Sequence, residues 1–371
     1  MSEYQYYEFQ ALERTLTNSD HSYLKNLSSR VELTATNAQF VYNYGDFRGD
    51  PLEVLERCFD LMLYLTNFGV RQLTLRLPKV LVNPATFEPY CVPYYICVST
   101  TEKSVIVDIN LTGEDYYDWI EGEGWLSGLV ALRDELLQGD LRLLYLAWLR
   151  AGLIEDADVD LEVIEPPVPP NLKQLSPALK TFVELFKVEP DLIAAAAEAS
   201  QTRQANPEPV DEWIANLPEN ERNHYLLRVV RGDPHVGVEL IQHLRQMFSQ
   251  PVVNAGTISS RSLANLMASA EKARKQREHK EQLVAEKARQ ERLDALAHQG
   301  DALWQEVFRL IGLKQTKAYD QAIVHLKELR DLAEHQGNLK EFYNRIEQIK
   351  QQYTNRPGLI SRLQKACLLK S

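Results

Sequence analysis

The sequence predicts an α+β N-terminal domain, a mixed and partly antiparallel sheet with helices, followed by an all-α C-terminal half with a long charged helix and a helical hairpin. Three observations carry this reading. In the first third, short apolar segments with period-two alternation, such as Leu73, Leu75 and Leu77, alternate with turns and one well-capped helix. From Thr257 to Gln299, 43 residues contain neither glycine nor proline. Beyond them, Tyr319, Ala322, Leu326 and Leu329, then Phe342, Ile346 and Ile349, recur at helical spacing around Gly337. At 371 residues the chain exceeds one compact core. It divides into an acidic α+β domain (1–154), a linker (155–170), a helical domain (171–249), a long charged helix (258–312) and a hairpin tail (313–371).

The elements follow in order. Residues 4–11 are aromatic-rich and predict a strand, and a short helix spans Ser19–Leu27. Arg30–Thr36 alternates, and Phe40, Tyr42 and Tyr44 repeat the pattern, so two half-buried strands are expected. At Gly49-Asp50-Pro51-Leu52-Glu53, Asp50 caps a helix, Pro51 suits its first position, and Glu53 is placed to reach back. Leu52, Leu55, Phe59, Met62 and Leu63 continue that helix, with Gly69 closing it. Leu73–Leu77 then reads as a strand ending at Pro78, and Tyr94–Thr100 with Val105–Leu111 as a hairpin around Thr101-Glu102-Lys103. Amphipathic helices at Trp125–Leu137 and Leu141–Leu153, the second capped by Asp140, complete the domain.

Acidic residues (Glu155, Asp156, Asp158, Asp160, Glu162) lead into Glu165-Pro166-Pro167-Val168-Pro169-Pro170, whose prolines predict an extended spacer. Helices are then expected at Leu175–Phe186, Leu192–Ser200, Val210–Leu217, Pro218–Arg231 and Pro234–Phe248. The long charged stretch, as one helix, would be about 65 Å long, and Arg274 to Gln282 contains no apolar residue, so its centre must be solvated or held by a charged partner. A last helix covers Leu359–Leu369 after Arg356-Pro357-Gly358.

Apolar content of 44% and charged content of 25% are those of a globular chain. No apolar run reaches the length of a membrane span, and the N-terminus lacks a signal-peptide pattern, so the expected location is cytoplasmic. Charge is uneven: residues 1–170 carry a net −15, residues 171–257 −3, and residues 258–371 +7.

Chemistry is sparse. Cys91 and Cys97 have five residues between them and no nearby histidine, which favours buried structural cysteines over a zinc site. His224, His235 and His243 share no repeated spacing, and surface or capping roles are expected. The loop Gly45–Gly49 precedes a helix, but Asp46 and Asp50 would repel a phosphate there, and no nucleotide-loop motif is present. Asp46, Arg48 and Asp50 form a weak polar cluster, and no catalytic, cofactor or metal residue is assigned. The candidate interaction surface is Lys272, Arg274, Lys275, Arg277, Lys280, Lys287, Arg289 and Arg292. Five glutamates interleave with them, which favours an ion-paired helix over a nucleic-acid stripe.

Tyr6-Tyr7-Glu8-Phe9-Gln10-Ala11-Leu12, Tyr44 to Pro51, and Leu73 to Pro78 resemble a widespread family of uncharacterised bacterial cytoplasmic proteins. Leu303-Trp304, Ala318-Tyr319-Asp320-Gln321-Ala322 and Arg356-Pro357-Gly358-Leu359-Ile360 are similar to the helical tails of bacterial SWIM-type zinc-finger proteins. The resemblance implies a SWIM-type protein as partner. The chain lacks the finger's CxC and CxH ligands, so zinc and finger-mediated DNA binding are not implied.

Three functions compete at this level. A non-enzymatic adaptor binding a protein partner through its helical C-terminal half leads. A nucleic-acid accessory factor using the basic part of the long helix, and an enzyme with a site near Asp46 and Arg48, follow.

Overall fold

The computed structural model describes residues 3–154, 160–202, 209–233, 235–248, 260–297 and 300–369, with the side chains of 292–294 and 297 outside the description. The chain forms two compact units, Met1–Arg274 and Lys275–Ser371. Among the described residues no helix is long and apolar enough to cross a membrane.

Unit 1 begins with β1 (Gln5–Gln10), α1 (Asn18–Leu27), β2 (Glu32–Leu33), β3 (Asn37–Tyr42), α2 (Pro51–Cys58), β4 (Leu61–Thr66), β5 (Val70–Pro78), β6 (Ile96–Thr100) and β7 (Ser104–Thr112). These strands form one antiparallel sheet in the order β2-β3-β1-β4-β5-β7-β6. The α+β expectation holds. Successive side chains of a strand face opposite sides, and the central strands β1 and β4 are covered on both. On one side Tyr7, Phe9, Phe40 and Met62 pack with Leu24 of α1 and with Val54 and Leu55 of α2. On the other, Tyr6, Leu61, Leu63, Leu65, Leu73, Leu75 and Val107 pack against helices α3 (Trp125–Leu129), α4 (Ala131–Leu137), α5 (Arg142–Ala151), α6 (Pro177–Leu185) and α7 (Pro190–Ala197). Every residue of α5 from Leu143 to Ala151 is buried.

Asp50 caps α2 as expected, accepting from the Leu52 N–H at 2.8 Å. The reciprocal capping box is instead at α1, where the Thr17 side chain accepts from the Asp20 N–H and the Asp20 carboxylate accepts from the Thr17 N–H. The expected continuation of α2 through Met62 and Leu63 is corrected: the helix stops at Cys58, and residues 61–66 are the central strand β4. Both faces of β4 are buried, so its apolar run lacks the alternation that marks a half-buried strand. Gly69 does not close a helix; its φ of 98° turns the β4–β5 hairpin. Of Arg30–Thr36 only Glu32–Leu33 pairs.

The helix expected at Trp125–Leu137 is two, because Val130 separates α3 from α4. Asp140 accepts from the Arg142 N–H at 3.0 Å at the start of α5. The spacer expected at 155–170 is a different object where it is described. Glu165, Pro166, Val168 and Pro169 are buried within unit 1, and Tyr90 donates to the Pro167 carbonyl at 2.6 Å. Glu155, Asp156 and Asp158 lie outside the described residues. Helices α8 (Val210–Asn216), α9 (Glu219–Arg231) and α10 (Val236–Phe248) follow, near the expected positions.

The charged stretch forms α11 (Leu263–Ala297) and α12 (Gly300–Gly312), two helices where one was expected over 258–312; residues 258, 259, 298 and 299 lie outside the described set. Leu263, Leu266 and Ala270, in the first turns of α11, belong to the unit 1 core. Arg261 fixes this entry by donating to Glu165 at 2.8 and 2.9 Å, while Tyr145 donates to the same carboxylate. In unit 2, α12, α13 (Thr316–His335), α14 (Leu339–Gln352) and α15 (Pro357–Lys365) enclose a core that includes Val307, Leu326, Leu329, Phe342, Ile346 and Leu359. Its hairpin joint is Gly337, with φ 73°, where the left-handed backbone favours glycine.

Candidate functional site

The middle of α11 carries the candidate surface. Every residue from Arg274 to Glu291 is exposed. An isolated helix is marginal in water because its nucleation is costly, so local pairs matter here. Arg274 meets Glu271 at 2.5 Å, Arg277 meets Glu281 at 3.9 Å, and Lys287 meets Glu291 at 3.9 Å. At about 100° of rotation per residue, Lys272, Arg277, Lys280 and Lys287 fall on one side and Arg274, Lys275 and Arg289 on the other. The bases therefore encircle the helix instead of forming a stripe. The side chain of Arg292 lies outside the described residues. Leu283 (53% exposed) and Val284 (62%) form an adjacent apolar pair in this charged surround.

The structure does not assemble Asp46, Arg48 and Asp50 into a site. Asp46 accepts from the Gln5 amide at 3.2 Å, Asp50 is occupied as the α2 cap, and Arg48 is exposed near Tyr42. Among the described residues no group of His, Cys, Asp and Glu could hold a metal ion. The expectation of two buried structural cysteines is corrected. β6 is an edge strand, so while Ile96 points into the core, Cys97 points out and is exposed; Cys91 is half-buried.

Sequence reasoning missed a cleft in unit 1. A cavity of about 510 Å³ lies between α10, the C-terminal end of α4 and the segment that joins β5 to β6. Leu81, Phe87, Tyr90, Leu137 and Leu141 line it, and a second lobe of about 210 Å³ continues past Tyr90 and Gln138 to Arg142 and Pro170. That volume is in the range of small-ligand pockets. Helix α10 forms one wall because Gln242 donates to the Leu81 and Leu137 carbonyls at 2.9 and 3.1 Å.

A buried ionic cluster holds the other end of α10. Arg133 and Arg76 both pair with Glu13 and Asp60, and Asp60 also accepts from the Leu12 N–H at 2.6 Å and the Glu13 N–H at 3.0 Å. His235, at φ 60°, brings its Nε2 to 2.9 Å from the Glu13 carboxylate, a partly buried contact in place of the surface or capping role expected for it. Burial pushes the Glu13 carboxyl up, but His235, Arg133 and Arg76 outweigh it and hold its pKa well below the usual range. A second cluster surrounds the buried Tyr116 ring, which Arg71 and Arg150 approach at 4.5 and 5.1 Å. The signal for both clusters lay in lone arginines within apolar runs, since a buried charge must be paired.

Both clusters are closed, with arginines facing carboxylates and carbonyls, and neither presents a nucleophile to the cleft. Comparison with protein-family models, with curated proteins and with solved structures gives no match.

Proposed function

We propose that the chain is a protein-binding adaptor that engages its partner through helix α11 and the helical unit that follows. One observation carries this reading. Five turns of α11 are exposed on all sides, and they offer an apolar pair, Leu283-Val284, ringed by charges of both signs. Such a surface suits a second helical surface, whose apolar side chains would cover the pair while its charges answer the rim. It is less suited to nucleic acid, because interleaved glutamates neutralise bases that already point in several directions.

The test is affinity purification of the tagged full-length chain from its native cells, beside a Leu283→Asp, Val284→Asp double variant. Loss of a stoichiometric partner from the variant is the expected result. A partner kept by the variant, and by a chain ending at Arg274, would place binding elsewhere. A cut before Arg261 is unsuitable, since it removes Leu263 and Leu266 from the unit 1 core.

A further inference from the structure

The turn after the cleft wall brings two thiols face to face. Val92 and Ile96 form an antiparallel bridge and exchange both backbone bonds, Val92 N–H to Ile96 O at 3.1 Å and Ile96 N–H to Val92 O at 2.8 Å. Antiparallel partners separate by one residue on each strand at every step, so the pair next outward is Cys91 opposite Cys97. A pair adjacent to one that exchanges both bonds is of the non-hydrogen-bonded kind, with Cα atoms about 4.5 Å apart and side chains on the same face. That spacing is within the range that a disulfide spans. Cys91 has extended backbone, φ −69° and ψ 137°, as the ladder requires. Its thiol also contacts the Val98 N–H, on the residue that follows Cys97. Cys97 is exposed and Cys91 half-buried.

We propose that Cys91 and Cys97 are a reversible dithiol–disulfide pair that exchanges with low-molecular-weight disulfides of the glutathione class. The outer thiol reacts first. The Cys97 thiolate attacks one sulfur of the disulfide RSSR, the S–S bond breaks, and RS⁻ leaves and is protonated to RSH. Cys91 then gives its proton to solvent and attacks the Cys97 sulfur, expelling the second RS⁻, which becomes the second RSH. Two protein thiols lose two electrons and RSSR gains them. Burial pushes the Cys91 thiol up, consistent with its acting second. The product closes a ring of seven residues whose first member adjoins Tyr90, a wall of the cleft. Oxidation would thus pin that wall to β6.

The test uses the full-length protein equilibrated with graded mixtures of oxidised and reduced glutathione, then alkylated and digested. No lysine or arginine separates Lys79 from Lys103, so one tryptic peptide, residues 80–103, carries both thiols. The expected oxidised product is this peptide with two hydrogens lost and no alkyl group, reversed by dithiothreitol. Its halves should stay joined after chymotryptic cutting at Tyr94 or Tyr95. Cys91→Ser should retain glutathione on Cys97, at least tenfold more than the wild type does. A wild-type peptide that stays doubly alkylated across the series, or that accumulates glutathione on both cysteines, would overturn the proposal. A disulfide-linked dimer through Cys97 would overturn it too.

Discussion

Arg133 donates its Nε–H to the main-chain carbonyl of Arg76 at 2.8 Å, so one buried guanidinium is held by the backbone of the residue that supplies the other. The two arginines share Glu13 and Asp60, and the four side chains tie β5, α4, the loop after β1 and the residue before β4 together. Arg133→Met keeps the stem and removes the charge, leaving buried carboxylate uncompensated. Breaking a buried pair in this way costs about 3–5 kcal/mol, which should appear as a lower urea midpoint for unit 1. By contrast, Arg309→Ala, which removes an exposed pair with Glu306, should leave the unit 2 midpoint unchanged.

Glu13 makes unit 1 acid-sensitive. Its folded pKa is lowered, to about 2 from an ordinary 4.5, so it contributes stability that is fully present above the ordinary value. That contribution is lost as pH falls from about 4.5 towards 2. Glu13→Gln should therefore be less stable than the wild type at neutral pH and should lose less on acidification through this window. Urea midpoints measured at several pH values check it; parallel slopes for the two proteins would contradict it.

Gly122 lies against the face of Tyr6. A Cβ at this position would stand 2.1 Å from a ring carbon of a buried side chain, so something must move. Gly122→Ala should destabilise unit 1 by about 1–3 kcal/mol, the usual penalty for overpacking. Gly113 has an extended φ of 172° and nothing within 4 Å of its notional Cβ. Gly113→Ala should stay within about 0.5 kcal/mol of the wild type. Thermal unfolding of the two variants side by side separates the cases.

Tyr94 is held at φ 68° in the turn that follows Pro93, although its side chain is 88% exposed and gains little from packing. A left-handed residue with a side chain costs about 1–2 kcal/mol, and glycine removes that at the expense of its own chain entropy. Tyr94→Gly should raise the stability of unit 1 by about 0.5–1 kcal/mol, read as a higher melting temperature. A drop would mean that the exposed ring makes contacts worth more than the strain.

Much of the fold was legible because local chemistry and final structure agree. The Asp50-Pro51 start of α2, the hairpin around Glu102 and Lys103, and the helical joint at Gly337 are each specified within a few residues. Where tertiary context decided, the reading slipped. Leu61 to Thr66 are apolar on both faces because β4 is covered on both, and spacing alone does not separate such a strand from a buried helix. The prolines of 166–170 predict extended chain, yet whether such chain is solvated or buried depends on what packs over it, and here Pro166, Val168 and Pro169 are buried.

The candidate surface was legible only in outline. The run from Arg274 to Gln282, without an apolar residue, announces exposure, but the angular scatter of the bases from Lys272 to Arg289 emerges only once they are counted around the helix. The cleft was not legible, since residues as distant in sequence as Leu81, Leu137 and Gln242 meet there only in the folded chain.

The unit 1 core has a consequence for biosynthesis. It draws on Tyr6 at one extreme and on Leu263, Leu266 and Ala270 at the other. A ribosome must therefore release the whole stretch from Tyr6 to Ala270 before this core can close. Until then, the part of that core which Leu263, Leu266 and Ala270 cover stays open in the nascent chain. Such a delay exposes apolar side chains to wrong partners, so expression should benefit from slow translation, low temperature or a holding chaperone. Unit 2, assembled from helices adjacent in sequence, has no comparable wait, because local contacts form quickly.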